Sequence, residues 1–94
     1  MLNSFSVVVW SKKGCHYCTE VKEYLNNHNI AYQDIDVTND DDRGDILDIK
    51  YGVRHVPVVE IGKGEVYEAV TKVGIQYVQE AIDRIKKEKD SLLS

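Results

Sequence analysis

Two cysteines lie three residues apart, where a strand-like run of the sequence gives way to a helix-like run. They are Cys15 and Cys18, the only cysteines in the chain. Residues 5–10 are β-branched and almost entirely apolar, which predicts a buried strand. Residues 17–28 carry apolar side chains at helical spacing, which predicts a helix. Both sulfurs can therefore lie on one helix face, with Cys15 at the amino end.

The predicted position of Cys15 favours its thiolate form. Unpaired N–H groups and the helix dipole stabilise negative charge at the amino end of a helix. Lys12 and Lys13 add positive charge nearby, and His16 adds more when it is protonated. We therefore expect a depressed pKa and a nucleophilic sulfur at Cys15. Cys18, one turn deeper, is positioned to attack a mixed disulfide formed by Cys15, so the pair predicts a dithiol–disulfide redox site.

Length, composition and charge indicate the class of protein and the compartment in which this site operates. The 94 residues make one domain, residues 1–94, with 43% hydrophobic and 30% charged residues. A net charge of −4 argues against nucleic-acid binding. The sequence contains no apolar run of transmembrane length and no signal-peptide pattern at its amino terminus, so we expect a cytoplasmic protein without membrane contact. In that compartment a lone Cys-x-x-Cys pair is more often catalytic or metal-binding than a structural staple.

The remaining pattern predicts an α/β fold with the element order βαβαββα. Strands are expected at residues 5–10, 31–37, 56–61 and 65–70, and helices at residues 17–28, between residues 38 and 52, and at residues 74–88. Residues 62–64 should form a tight turn, and residues 90–94 a frayed tail. A β-α-β start requires a parallel strand pair, and the hairpin adds two strands. The prediction is a four-stranded mixed sheet with helices on both faces.

Two acidic features require an interpretation. The run at residues 38–42 is interpreted as a solvated helix cap, since its spacing lacks the calcium-loop pattern. Gly52 should end the helix that follows this cap. Glu60 interrupts the apolar third strand, and the sequence assigns it no function.

The cysteine motif resembles that of the glutaredoxins. The segment from Ser11 to Cys18 is similar to their pattern of a lysine three residues before Cys-Pro-Tyr-Cys. The segment from Tyr51 to Pro57 resembles the one that precedes the cis-proline of the thioredoxin superfamily. The matching element order covers nearly the whole chain, so the resemblance implies a thioredoxin-like fold.

Two departures from the glutaredoxin pattern bear on function. Residues 68–71 stand where glutaredoxins carry a Gly-Gly pair and an acid that hold the γ-glutamyl end of glutathione, which argues against tight glutathione binding. Residues 64–66 and 71–74 look more like thioredoxin. His16 replaces the usual proline. If protonated, it would stabilise the thiolate and make the couple more oxidising; the alternative is an exposed polar residue with little effect.

The resemblance implies a role for each matching residue. Cys15 would attack the substrate disulfide and Cys18 would resolve the product. The substrate-binding set comprises Lys12 and Arg54 for a carboxylate, Tyr17 over a bound peptide, the backbone of Val56, a cis Pro57 against the sulfurs, and His16 beside the thiolate. For Arg54 the alternative is a solvated surface arginine, which is the favoured interpretation. Gly74 either allows close backbone approach or merely precedes the last helix.

These residues predict a thiol–disulfide oxidoreductase that reduces protein disulfides. The mixed signature is similar to that of some phage and bacterial redoxins that serve ribonucleotide reductase, which is one expected acceptor. The reductant is either thioredoxin reductase, favoured by the missing Gly-Gly pair, or glutathione as a co-substrate. The only expected redox group is the Cys15–Cys18 disulfide, with no bound cofactor or metal, in a monomer.

Two other function classes remain open. A metal module could use Cys15 and Cys18 with two of His16, His28 and His55, although these histidines lack paired ligand spacing. An iron–sulfur variant would bridge two subunits through Cys15 and glutathione. An interaction domain that lost catalysis is less favoured, because both thiols are present.

Overall fold

The computed structural model describes residues 5–63 and 66–93, which form four strands and three helices. In chain order these are β1 (Ser6–Ser11), α1 (His16–Asn27), β2 (Gln33–Asp36), α2 (Asp41–Tyr51), β3 (Val58–Lys63), β4 (Val66–Val70) and α3 (Ile75–Leu93). The predicted order βαβαββα is confirmed. None of the described helices has the length and apolar character needed to cross a membrane.

The strands form a single mixed sheet in the order β2-β1-β3-β4. β1 pairs in parallel with β2, with Val9 opposite Asp34, and antiparallel with β3, with Val9 opposite Val59. β3 and β4 form the antiparallel hairpin. Because helices cover both faces of the sheet, the central strand β1 needs apolar side chains on both faces, which explains its run of valines. The predicted four-stranded mixed sheet is confirmed.

Side chains of β1 alternate between two cores, one on each face of the sheet. Val7 and Val9 lie in a core with buried residues of α1 and α3, whereas Trp10 packs with Leu47 of α2. The first core consists of Val7, Val9, Val21, Leu25, Val59, Ile61, Val70, Val78, Ala81, Ile82 and Ile85. Helices therefore cover both faces, as the sequence predicts.

The ends of α2 follow the predicted signals. The Asp40 side chain accepts a hydrogen bond from the Arg43 backbone N–H at 3.1 Å and caps the helix. Gly52 adopts a left-handed conformation with φ 70°, and its N–H donates to the Asp48 carbonyl at 2.8 Å. The acidic run is thus a helix cap, and Gly52 ends the helix as predicted.

Several boundaries differ from the sequence prediction: β2 covers only residues 33–36 of the predicted 31–37, and β3 begins at Val58 rather than at residue 56. Gly62 and Lys63 belong to β3 rather than to a turn; residues 64 and 65 lie outside the described residues. A Cβ on Gly62 would come within 2.6 Å of the Tyr67 ring, so glycine is needed for this cross-strand contact. α3 extends to Leu93, where a frayed tail is predicted. No glycine or proline follows Gly74 in the sequence, so no strong helix breaker stops the helix.

The carboxylate of Glu60 is buried on the α2 face of the sheet. Glu60 is only 5% exposed. Trp10 Nε1 donates to it at 2.7 Å, Lys50 Nζ donates at 2.5 Å, and the Tyr51 hydroxyl donates to the same oxygen as Lys50. The donors come from β1 and from the end of α2, so this carboxylate fastens α2 to the sheet. A buried charge is tolerated when it is paired and hydrogen-bonded in this way.

The network shifts the pKa of Glu60 downward. Burial is the largest single cause and raises the pKa, but the hydrogen bonds from Lys50, Tyr51 and Trp10 lower it and together outweigh burial. The hydrogen bond to Glu60 likewise raises the pKa of Lys50, and burial raises that of Tyr51. Because the folded pKa of Glu60 is depressed, its contribution to stability is complete above the unfolded value, about 4.3. That contribution is lost as the pH falls through the folded pKa.

Replacing the buried carboxylate should reduce the stability of the protein. Glu60→Gln should lower the free energy of unfolding at pH 7 by about 1.5–3 kcal/mol, the typical value of a hydrogen bond to a charged group. The wild type should also lose stability more steeply than this variant as the pH falls below about 5. Chemical denaturation across pH measures both effects.

Glu68→Gln is the matched control, because Glu68 of β4 forms an exposed ion pair with Arg84 of α3. Glu68→Gln should lower the free energy of unfolding by less than about 1 kcal/mol. Equal losses in the two variants would show that burial of Glu60 carries no special energetic weight.

Candidate active site

The cysteine pair stands at the junction between the carboxyl end of β1 and the amino end of α1. β1 ends at Ser11, and the Cys15 N–H donates to the Lys12 carbonyl at 3.3 Å in the connecting turn. Cys15 is the N-cap of α1, with an extended backbone conformation, and the helix begins at His16. Open α/β sheets usually bind their ligands at this end of their strands.

The two sulfurs form a disulfide, and the Cα atoms lie 5.2 Å apart. The Cys18 backbone N–H donates to the Cys15 sulfur at 3.2 Å, so the sulfur itself caps the helix. A thiolate in the same place would accept a charge-assisted hydrogen bond at the positive end of the helix dipole. Cys18 is 2% exposed, whereas Cys15 is partly exposed. The geometry thus gives an outer sulfur that a substrate can reach and an inner sulfur beside it.

Three of the predicted binding residues line one cavity. Lys12, Arg54 and Val56 surround a space of about 340 Å³, together with parts of the β2–α2 connection. Arg54 is paired with Asp45 and lies 3.5 Å from Asp48. These carboxylates raise the pKa of Arg54, with the Asp45 hydrogen bond as the largest cause. Lys12 has no ion pair within the described residues, so its charge is available to a ligand carboxylate.

The Val56–Pro57 peptide bond is cis, as the resemblance implies. Pro57 is buried and directly precedes β3, where its missing N–H is not needed by the sheet. One residue earlier, His55 Nε2 lies 2.6 Å from the Thr71 carbonyl oxygen. The partners of this bond are 16 residues apart, and no local pattern in the sequence links them, so the bond could not be predicted.

The other predicted residues lie around the first turn of α1 or beyond this cavity. Tyr17 is 50% exposed, and its ring contacts that of His16 edge-on. The His16 side chain is 81% exposed, and its Nε2 lies 3.6 Å from Glu20, which would share its charge when it is protonated. Gly74 is buried immediately before α3. Neither Tyr17 nor Gly74 lines the Lys12 cavity.

The described residues contain no preformed site for the metal ion of the alternative function. Within residues 5–63 and 66–93 no group of three or more His, Cys, Asp or Glu side chains is arranged to hold a metal ion. His28 caps the far end of α1 and contacts the Tyr24 ring, while His55 is bonded to Thr71. The histidines are therefore engaged in separate parts of the fold.

The difference in exposure predicts selective alkylation of the reduced protein. Iodoacetamide should modify Cys15 at least about tenfold faster than Cys18, since an accessible, stabilised thiolate reacts and a buried thiol does not. Peptide mapping over a short time course measures both rates. Equal rates would contradict the assignment of an outer and an inner sulfur.

Comparison with known proteins shows the family of this chain. The glutaredoxin family model matches residues 7–67, which include both cysteines and the cis-proline. An N-acetyl-S-hydroxy-L-cysteine reductase of Bacillus subtilis is 52% identical over 82 residues, covering 87% of this chain and 88% of the relative. The glutaredoxin-like protein NrdH of Lactococcus lactis is 34% identical over 55 residues, covering 56% of this chain and 72% of the relative.

Solved structures agree with the sequence relatives. The thioredoxin-like protein BC3987 superposes with a TM-score of 0.64 at 29% identity, covering 80% of this chain and 97% of that one. A buckwheat glutaredoxin in complex with glutathione gives 0.61 at 28% identity, covering 89% of this chain and 74% of that one. On the evidence of the family match, the cysteine pair and the fold, this chain belongs to the glutaredoxin family.

Proposed function

We propose that this protein is a dithiol reductase of small oxidised cysteine derivatives, with N-acetyl-S-hydroxycysteine as the representative substrate. The observation that carries the proposal is the accessible Cys15 sulfur, hydrogen-bonded at the helix end and backed by the buried Cys18. The 52% identity to a reductase named for that substrate supports the choice of substrate. The cavity contains Lys12, which forms no ion pair with the part of the chain that the structure describes, and this supports binding of an anionic molecule of this size.

The reaction proceeds in two displacements at sulfur. The Cys15 thiolate attacks the sulfur of the S-hydroxy group, so that an S–S bond forms and the S–O bond breaks. The departing hydroxide takes up a proton and becomes water. Cys18 then attacks the Cys15 sulfur, which forms the intramolecular disulfide and releases N-acetylcysteine as a thiol. The protein loses two electrons and the substrate gains them, while the two thiol protons end on water and on the product.

The substrate contacts follow from the chemistry of an N-acylated amino acid. Acylation removes the positive charge of the amino group, so the carboxylate is the only charged group of the molecule. Lys12 can pair with this carboxylate. Arg54 adds positive potential, although its guanidinium group already forms ion pairs with Asp45 and Asp48. The backbone N–H and C=O of Val56 are proposed to bind the acyl amide. His16 and Tyr17, both exposed in the first turn of α1, are proposed to contact the substrate from the solvent side.

A second donor must return the protein to its dithiol form. We propose thioredoxin reductase or glutathione for this step, with glutathione acting as a co-substrate rather than a resident cofactor. The absent Gly-Gly pair favours thioredoxin reductase. A cytoplasmic location, where such reductants maintain free thiols, is part of the same proposal.

Protein disulfides are the second proposed class of substrate. The similarity to glutaredoxin-like NrdH supports this alternative, and ribonucleotide reductase is the acceptor that the sequence analysis suggested. The half-exposed ring of Tyr17, the residue directly before Cys18, offers an apolar surface for a peptide. The mechanism would be unchanged except that the leaving group is a protein thiol.

Removing either sulfur should separate the two steps. Cys15→Ser should abolish reduction of both substrate classes, yet retain the fold because serine is a good N-cap residue. Cys18→Ser should accumulate a mixed disulfide between Cys15 and the substrate, detected by intact mass. Turnover by the Cys15 variant, or failure of the Cys18 variant to trap any adduct, would contradict the proposed roles.

Removing the charge of Lys12 should affect anionic substrates selectively. Lys12→Gln should raise KM about five- to tenfold for the disulfide of N-acetylcysteine, and hardly change it for the methyl ester of that disulfide. The expected factor corresponds to about 1–1.4 kcal/mol of lost charge pairing. Lys13→Gln is the matched control, because Lys13 does not line the cavity. Equal changes for acid and ester would rule out a carboxylate contact.

A further inference from the structure

A threonine hydroxyl joins the turn before Cys15 to the connection between β2 and α2. The Thr38 hydroxyl oxygen accepts a hydrogen bond from the Lys13 backbone N–H at 2.8 Å, although the two residues are 25 apart in the chain. The same two segments also meet in the backbone, where the Val37 N–H donates to the Ser11 carbonyl at 2.8 Å. That bond continues the parallel pairing of β1 and β2, whereas the Thr38 bond reaches into the turn that follows β1.

The peptide group between Lys12 and Lys13 is held from both sides. Its N–H donates to Thr38, and its carbonyl oxygen accepts from the Cys15 N–H at 3.3 Å. At Gly14, inside the same turn, φ is 77° and a Cβ would have no atom within 4 Å. Packing offers little support at this point, so the two hydrogen bonds carry more of the constraint on the turn.

Thr38 is not needed to begin α2. It belongs to the run that the sequence identifies as a helix cap, but Asp40 provides the cap. The Thr38 backbone N–H donates instead to the Asp36 carboxylate at 2.7 Å. The hydrogen bond from the Thr38 hydroxyl is the largest cause that lowers the pKa of Asp36, followed by this backbone bond. A hydroxyl that donates to a carboxylate still has lone pairs to accept with, here from the Lys13 N–H.

Thr38 and Lys12 line the same cavity of about 340 Å³. The Thr38 bond therefore connects the wall of this cavity to the backbone of the lysine whose charge enters it. Lysine carries its ammonium on a flexible four-carbon stem. The region that the ammonium can reach thus depends on where the backbone of Lys12 is held.

We propose that Thr38 is a positioning residue, which holds the Lys12–Lys13 peptide group so that the Lys12 ammonium stays at the cavity while Cys15 stays at the amino end of α1. This inference rests on the proposed function, in which Lys12 pairs with the substrate carboxylate. Thr38 acts through Lys12 and is not itself a ligand of the carboxylate. Its hydroxyl raises the affinity for anionic substrates and adds nothing to the chemical step.

Steady-state kinetics test the role of the hydroxyl. Thr38→Val keeps the branched shape and the backbone N–H but removes the hydroxyl. It should raise KM for the disulfide of N-acetylcysteine about threefold, within the range typical for loss of one neutral hydrogen bond, and hardly change kcat. KM for the methyl ester of that disulfide should stay at the wild-type value. Thr38→Ser, which retains the hydroxyl, should restore KM for the acid. An unchanged KM for the acid in the valine variant would overturn the proposal.

A double-mutant cycle tests whether Thr38 acts through Lys12. In the Lys12→Gln background, Thr38→Val should add no further rise in KM, since the charge that the hydroxyl positions is already gone. A rise by the same factor in both backgrounds would overturn the proposal, because the hydroxyl would then contact the substrate itself.

Thr19→Val is the matched control. The Thr19 hydroxyl donates to the Cys15 carbonyl at 3.2 Å, but this carbonyl also accepts from the Thr19 backbone N–H at 3.1 Å. The carbonyl therefore stays bonded in the variant, and KM should remain at the wild-type value. A rise equal to that of Thr38→Val would overturn the proposal. Failure of the proposed function is recognised separately, because the wild type would then reduce neither N-acetyl-S-hydroxycysteine nor the disulfide.

Hydrogen exchange followed by NMR tests the positioning contact without any substrate. In oxidised Thr38→Val, the Lys13 amide should exchange about fivefold faster than in the wild type. The Cys18 amide, which donates to the Cys15 sulfur, should keep its wild-type rate. Thr38→Ser should exchange at nearly the wild-type rate at both positions. Unchanged exchange of the Lys13 amide in the valine variant would overturn the proposal whatever the activity of the protein.

Discussion

At the amino end of α1 the Cys18 N–H points at the Cys15 sulfur from 3.2 Å, and the rest of the structure holds that arrangement in place. Serine, threonine, aspartate or asparagine usually caps a helix through a side-chain oxygen. Here the capping atom is the sulfur proposed to attack the substrate. The central position of β1, paired on both sides, fixes the point at which α1 begins. The interaction that starts the helix would therefore also stabilise the reactive form of the sulfur.

The two faces of the sheet contribute differently to the site. The α1 and α3 face supplies the larger apolar core beneath the cysteine-bearing helix. On the other face, the Glu60 carboxylate binds Trp10 of β1 and the last residues of α2. Since α2 leads directly to Arg54 and Val56, this buried charge network orients the wall of the Lys12 cavity. Lys12 and Arg54 place positive charge at this cavity, although the whole chain has a net charge of −4.

Local signals in the sequence predict most of the fold and the reactive pair. Asp40 and Gly52 limit α2 through capping rules that act within a few residues, and the resemblance gives the cis-proline at Pro57. Long-range polar contacts are different. The partners of Glu60 lie 9, 10 and 50 residues away, and that of His55 lies 16 residues away. Such pairs are determined by the packing of whole elements, which hydrophobic periodicity predicts only coarsely.

The central claim is that Cys15 and Cys18 together deliver two electrons to a small oxidised thiol. Single-turnover mass spectrometry tests it most directly, since it needs no partner reductase. Reduced protein, freed of other thiols, is mixed with one equivalent of freshly generated N-acetyl-S-hydroxycysteine. We predict one equivalent of N-acetylcysteine and a chain lighter by two hydrogen atoms, with the disulfide mapped to Cys15 and Cys18. A chain that stays reduced, or one oxidised without release of N-acetylcysteine, would contradict the account.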